Sequence, residues 1–208
     1  MTLTPAQLTV MIINARELNK PEKRSGALKD FQAHKASIVM IQETHFKKGD
    51  RPKLSNQHYP QGYFSDYHGR KSRGTAILLN KRVPFQEVGR LTDEEGRFLF
   101  LKGKVAGQSY TFATIYAPNR QHCFLLQTLN KLHAFAEGVL ILGGDFNVTL
   151  DPTWDCSNGT SHTPTQQLHS LNTLIRKHQL VDCWRAHLMK RTKRTSHSSP
   201  TRTKPTSE

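Results

Sequence analysis

Short apolar runs, each closed by polar residues, set the tightest limit on how this chain can fold. LTVMII (8–13) stops at Asn14, SIVMI (37–41) runs into Gln42 and Glu43, and GTAILLN (74–80) ends in Asn80. FLFLKGKV (98–105) and SYTFATIY (109–116) flank Ala106-Gly107, and VLIL (139–142) leads through two glycines to Asp145. Runs of this length suit buried strands. None approaches the roughly 20 apolar residues that cross a bilayer. Between them, Ala27, Leu28, Phe31 and Lys35 mark one side of a helix, and Phe124, Leu125, Leu129, Leu132 and Phe135 recur at helical spacing. Thr163-Pro164 is a helix start, with Leu168, Leu171 and Ile175 as its apolar stripe. Strands and helices interleave, with one hairpin turning at Ala106-Gly107. The expected class is therefore a layered α/β domain with a mixed or mostly antiparallel sheet.

The charge balance points to a polyanionic partner. Lys and Arg number 30 against 16 Asp and Glu, a formal +14 in 208 residues. Residues 185–208 hold seven basic residues and one acid, which leaves 23 against 15 in the body. A positive balance that persists without the tail suits nucleic acid first and an anionic membrane surface second. From about Ala186 the chain has almost no apolar residues and no periodicity, the signature of a disordered basic tail. The expected organisation is thus a domain over 1–185 and a tail over 186–208. Cys123, Cys156 and Cys183 are too few and too far apart for a disulfide framework or a zinc knuckle, so no disulfide-linked partner is expected and a reducing compartment is favoured. The N-terminus shows no basic segment ahead of its apolar part, so no signal peptide is expected.

The polar strand ends carry the chemistry. Asn14, Glu43, Tyr116 and the pair Asp145 and Asn147 each follow an apolar strand. Asp145 and Asn147 are one residue apart, so an extended backbone would point both side chains the same way. Each alone also fits a turn, a cap or a solvated strand end. Together they hold the parts that phosphodiester cleavage requires. Magnesium prefers oxygen ligands, one or two of them carboxylates. A carboxylate can orient or deprotonate an attacking water, and neutral donors can meet the charge that develops on phosphoryl oxygens. No G-x-S-x-G nucleophile elbow is present to suggest acyl transfer.

NARELN (14–19), IQETH (41–45), SRGTAILL (72–79), IYAPN (115–119), GGDFN (143–147) and LVDCWR (180–185) follow one another in this order. The chain thereby resembles the endonuclease/exonuclease/phosphatase superfamily, which includes exonuclease III and the apurinic/apyrimidinic endonucleases. Within it, the resemblance is nearest to the endonuclease domain of LINE-type retrotransposons and covers about residues 8–187. It implies a two-layer β-sandwich flanked by helices, acting on double-stranded DNA with Mg2+ or Mn2+. Glu43 would be the main metal ligand, with Asn14 beside it and Asp145 and Asn147 completing the metal side. Tyr116 would donate to the scissile phosphate, Asp145 would align and deprotonate the attacking water, and Asn147 would stabilise the pentacoordinate phosphorus. Arg70, Lys71 and Arg73 would contact backbone phosphates, although a solvated loop fits them nearly as well. Asp182 and Trp184 match a supporting segment. A monomer in the nucleus or cytoplasm is expected.

The family pattern continues past LVDCWR with further strands and a closing Ser-Asp-His, none of which follows Arg185 in this sequence. The sandwich is therefore expected to be incomplete at its C-terminal end, and catalysis impaired. Three alternatives remain open: a cellular abasic-site repair endonuclease of the exonuclease III type, a non-catalytic nucleic-acid-binding remnant, and a phosphatase acting on inositol lipids or sphingolipids.

Overall fold

The computed structural model describes residues 8–119, 122–151, 165–183 and 185–186. The chain divides into a unit through Leu168 and a second from His169. The first unit holds two four-stranded sheets. The first sheet contains β1 (Val10–Asn14), β2 (Ile38–Gln42), β3 (Gln61–Ser65) and β4 (Thr75–Leu79), in the order β1-β2-β4-β3. The second contains β5 (Phe85–Thr92), β6 (Phe98–Val105), β7 (Gln108–Tyr116) and β8 (Val139–Asp145), in sequence order. Helix α1 (Pro21–Ala33) joins β1 to β2, and α2 (His122–Phe135) joins β7 to β8. Helix α3 (Thr165–Lys177) crosses into the second unit, where Leu171 is buried.

Burial explains the layering. β2 and β4 are buried along their whole length, so successive residues serve opposite faces. Val39, Ile41, Ala76 and Leu78 pack with Leu28 and Phe31 of α1. Ile38, Met40, Ile77 and Leu79 pack with Leu99, Leu101 and Phe112 of the second sheet. Leu125, Leu129 and Leu132 bury the apolar stripe of α2, and the Phe135 ring meets Phe100 of β6 at 6.2 Å. The result is the two-layer β-sandwich flanked by helices that the sequence led us to expect.

Two sequence expectations are corrected. Lys35 does not continue α1: the helix ends at Ala33, and Lys35 has a φ of +53°. Strands β3 and β5 were not read from the sequence at all. β3 has only Tyr63 and Phe64 as large apolar residues, and β5 is mostly exposed, so neither carries an unbroken apolar run. The hairpin turns at Ala106 and Gly107, with φ of +48° and +84°, the left-handed pair that a tight two-residue turn requires. Thr163, Pro164, Cys156, Trp184 and the basic tail from residue 187 lie outside the described residues.

The sandwich places its polar strand ends at one rim. β1 and β2 run parallel, with Asn14 opposite Gln42, and β7 and β8 run parallel, with Tyr116 opposite Asp145. A parallel pair brings two carboxyl ends together, and facing sheets bring the two pairs together. A buried hydrogen bond from Gln42 Nε2 to Thr114 Oγ1, 2.8 Å, ties the sheets just beneath.

Candidate active site

Asn14 sits at the centre of the rim. Its Nδ2 donates to Glu43 Oε1 at 2.8 Å and to Asp145 Oδ2 at 3.0 Å. One amide group thus joins carboxylates 102 positions apart in the chain, one just after β2 of the first sheet and one ending β8 of the second. Its Oδ1 accepts the backbone N–H of Arg16 at 3.1 Å, which fixes which end of the amide faces the acids. Asn14 therefore stands here as a donor that clamps two acids, its oxygen turned toward the backbone.

The backbone around Glu43 is held in an uncommon shape. Glu43 has a φ of +55° and His45 of +57°, a left-handed conformation that costs an ordinary side chain about 1–2 kcal/mol. Glu17 and Leu18 donate backbone hydrogen bonds to the carbonyls of Glu43 and Thr44, and His45 donates to that of Arg73. This lattice over-determines the turn and aims the Glu43 carboxylate at Asn14 instead of solvent. His45 Nε2 lies 3.5 Å from Glu43 Oε2, a neighbour to which the sequence assigned no role.

Tyr116 completes the cluster from β7. Burial pushes its pKa up, and the charge of Glu43 with a hydrogen bond to it adds to the rise; Arg97 opposes this and Asp145 reinforces it. The hydroxyl is therefore held neutral as a donor. Arg97 is placed with its guanidinium 5.0 Å from the Tyr116 ring centroid, and its carbonyl accepts the Tyr116 backbone N–H at 2.7 Å. Nothing in the local sequence around Arg97 signals this, because it belongs to a hairpin the strand pattern half conceals.

Asp145 and Asn147 converge by a different route from the extended strand expected. β8 ends at Asp145, and Asn147 has a φ of +49°. The Asn147 backbone N–H donates to Asp145 Oδ1 at 3.2 Å, and its Nδ2 donates to the Ala117 carbonyl at 2.6 Å. The pair is thus an Asx-type turn bound to the end of β7. Gly144, φ +152°, precedes it; a methyl there would run into the Ile115 carbonyl, so this approach of β8 to β7 needs glycine.

The basic stretch is already engaged. Lys71 Nζ pairs with Asp50 at 2.9 Å and lowers that carboxyl's pKa. Arg73 pairs with Glu95 and lies 4.4 Å from the Tyr67 ring centroid. Arg70 is exposed. Among the described residues none of the three pairs with Glu43 or Asp145, but the loop is joined to the Glu43 segment: Thr44 and His45 donate to the carbonyls of Gly74 and Arg73.

The donor set suits a hard divalent cation. Among the described residues no three Asp, Glu, His or Cys side chains gather as a metal site. Two carboxylates within 3.0 Å of one nitrogen offer the sparse oxygen set that magnesium takes when water and phosphate complete its shell.

Comparison with known proteins gives the fold its relatives. The model of the Endonuclease/Exonuclease/phosphatase family matches residues 12–169. A curated relative, the Transposon TX1 uncharacterized 149 kDa protein of Xenopus laevis, is 26% identical over 190 residues, which is 86% of this chain. The chain spans 14% of that relative's length. An AP endonuclease from Archaeoglobus fulgidus superposes with a TM-score of 0.62 at 18% identity, over 82% of this chain and 70% of that one. The endonuclease domain of TRAS1, a telomere-specific non-LTR retrotransposon, gives 0.57 at 18% identity, over 79% and 69%. Those two likenesses establish a shared fold. No helix among the described residues is long and apolar enough to cross a membrane.

Proposed function

Because the chain belongs to the endonuclease/exonuclease/phosphatase family, we propose that it is a divalent-metal-dependent phosphodiesterase that nicks double-stranded DNA on behalf of a transposable element. The observation that carries this is the Asn14 clamp, which draws Glu43 and Asp145 to one point on the rim. The transposon assignment rests on the Xenopus relative, and DNA as substrate on the +14 charge together with the family.

Magnesium, when bound, neutralises phosphate charge, and Glu43 is the residue that would hold it, with Asp145 adjoining. The chain's own groups do the rest. Tyr116, held neutral, would release its hydrogen bond to Glu43 and direct its hydroxyl as a hydrogen-bond donor to a non-bridging phosphoryl oxygen. Asp145 orients the attacking water through one carboxylate oxygen while Asn14 fixes the other. Asn147, anchored by one amide proton to Ala117, turns its second amide proton toward the charge that builds on phosphorus. Each such donor is worth about 10²–10³ in rate when it meets developing charge.

Supercoiled plasmid separates the readings. Open circles should appear with magnesium and vanish with chelator. Intact and abasic duplexes cut at similar rates support the transposon role; strong preference for the abasic duplex supports repair. A preparation that binds plasmid but never nicks it would leave only a binding remnant.

A further inference from the structure

A recess of about 250 Å³ opens between the β5–β6 turn and α2, and Arg97 on its wall lies over the Tyr116 ring. Arg97 and Lys131 stand on its walls, with Arg73, Asp93, Glu95 and Phe98. We propose that this recess is a phosphate subsite, taking a phosphodiester that neighbours the cleaved one on the same strand. The identity of that strand as DNA rests on the function proposed above.

The acids of the recess are already spent. Asp93 Oδ1 accepts the backbone N–H of Glu95 at 3.1 Å, and Oδ2 accepts that of Arg97 at 2.8 Å, so Asp93 closes the turn. Glu95 pairs with Arg73. Two carboxylates committed in this way leave no ligand set for a cation. Among the described residues Arg97 and Lys131 form no ion pair within 4 Å.

Both cations lie over aromatic rings instead. Arg97 covers Tyr116 at 5.0 Å and Lys131 covers Phe98 at 5.5 Å. Ring faces occupied by cations are closed to a stacking nucleobase, so the recess favours an anion over a base. Burial weighs against the Arg97 charge and the charge of Arg73 adds to that pressure, while Tyr116, Asp93 and Glu95 offset part of it. Arginine stays protonated under such pressure, and an anion between Arg97 and Lys131 relieves it. A phosphodiester matches this geometry: the guanidinium fork grips two oxygens, and the ammonium supplies a point charge from the other wall. Arg97 also lies over the Tyr116 ring, so the proposed subsite would adjoin the phosphate that Tyr116 is proposed to touch.

Lys131 is exposed and outside the hydrolytic cluster, which makes it the residue to change. Binding of a fluorescein-labelled intact duplex is followed by anisotropy across a salt series with chelator present, for the wild-type chain, Lys131→Ala and Lys131→Arg. Thermal unfolding of each checks the fold, and Lys131→Gln, which keeps an apolar stem over Phe98, replaces Lys131→Ala should that variant unfold early. One lost phosphate contact lowers the slope of log affinity against log salt by about 0.9. That loss in Lys131→Ala, with recovery in Lys131→Arg, is the expected result. An unchanged slope in Lys131→Ala, or a lowered slope that Arg does not restore, would overturn the proposal. Magnesium-dependent nicking is read separately on the same preparations. Its absence from wild type would sink the nuclease reading and leave the slope result standing.

Discussion

Tyr116 shows how one residue's surroundings select its role. A phenol ordinarily ionises near pH 10. Burial and the Glu43 charge raise that value, and Arg97 across the ring trims the rise without reversing it. The folded chain therefore keeps the hydroxyl proton more firmly than the unfolded chain does. The associated stability is present below pH ~10 and disappears only as pH climbs through the raised value. Tyr116→Phe should slow strand scission by about 10²–10³, while any fall in rate between pH 8 and 9 keeps its midpoint. A midpoint that moves in Tyr116→Phe would show that the phenol itself titrates there, contrary to the direction of its shift. At this scale the sequence was informative about identity and silent about posture. It singled out Asn14, Glu43, Tyr116, Asp145 and Asn147 as polar ends of apolar strands. It could not show that Asn14 turns its nitrogen to the acids, because the Arg16 N–H that fixes its oxygen depends on a left-handed backbone after β1, with φ of +47° at Arg16.

Elements decide which loops stay rigid around that cluster. The segment after β3 begins at Asp66, whose side chain is 6% exposed and pairs with Arg51 at 2.9 Å. Asp66 Oδ1 meets no donor among the described residues. Burial raises the Asp66 pKa and outweighs the opposing charge of Arg51 and their hydrogen bond. Native Asp66 thus binds its proton more tightly than unfolded Asp66. Its favourable contribution is full below the ordinary carboxylate pKa of about 3.9 and is lost as pH rises through the raised value. Asp66→Asn, which mimics the protonated form, should melt no lower than wild type at pH 7, and the gap between the two melting curves should shrink toward pH 4. A variant that melts well below wild type at pH 7 would mean that the ion pair outweighs burial. Sequence pattern reached β1, β2, β4, β6, β7 and β8 because burial on one or both faces demands continuous or alternating apolar residues. It missed β5, an edge strand whose burial is patchy, and so missed the turn that sets Arg97 over Tyr116. The Asp145–Asn147 spacing was read on the condition of an extended backbone, and that condition fails: β8 ends at Asp145, and a turn brings Asn147 back.

At the scale of the whole molecule, two sheets of different connectivity meet so that parallel strand pairs share a rim, and the site exists only because they meet. Asn14 and Glu43 belong to the first sheet's strand ends, Tyr116 and Asp145 to the second's. Neither sheet alone holds both acids, which is why no contiguous motif could have shown the clamp. The unbroken apolar runs of β2 and β4 made the layering legible, since strands buried on both faces must lie between other layers. The family relationship, matched over 12–169, agrees with that layering. Composition carried the remaining inference, a polyanionic partner for a chain of net charge +14. Single-turnover nicking of supercoiled plasmid by wild type and by Asp145→Asn, at saturating magnesium and with DNA binding measured on the same preparations, tests the shared rim most directly. Wild type should nick, and Asp145→Asn should bind as well yet fall by at least about 10³ in rate, the scale seen when one member of a catalytic unit is removed. Nicking by Asp145→Asn at the wild-type rate would contradict a hydrolytic site built on Glu43, Asn14 and Asp145.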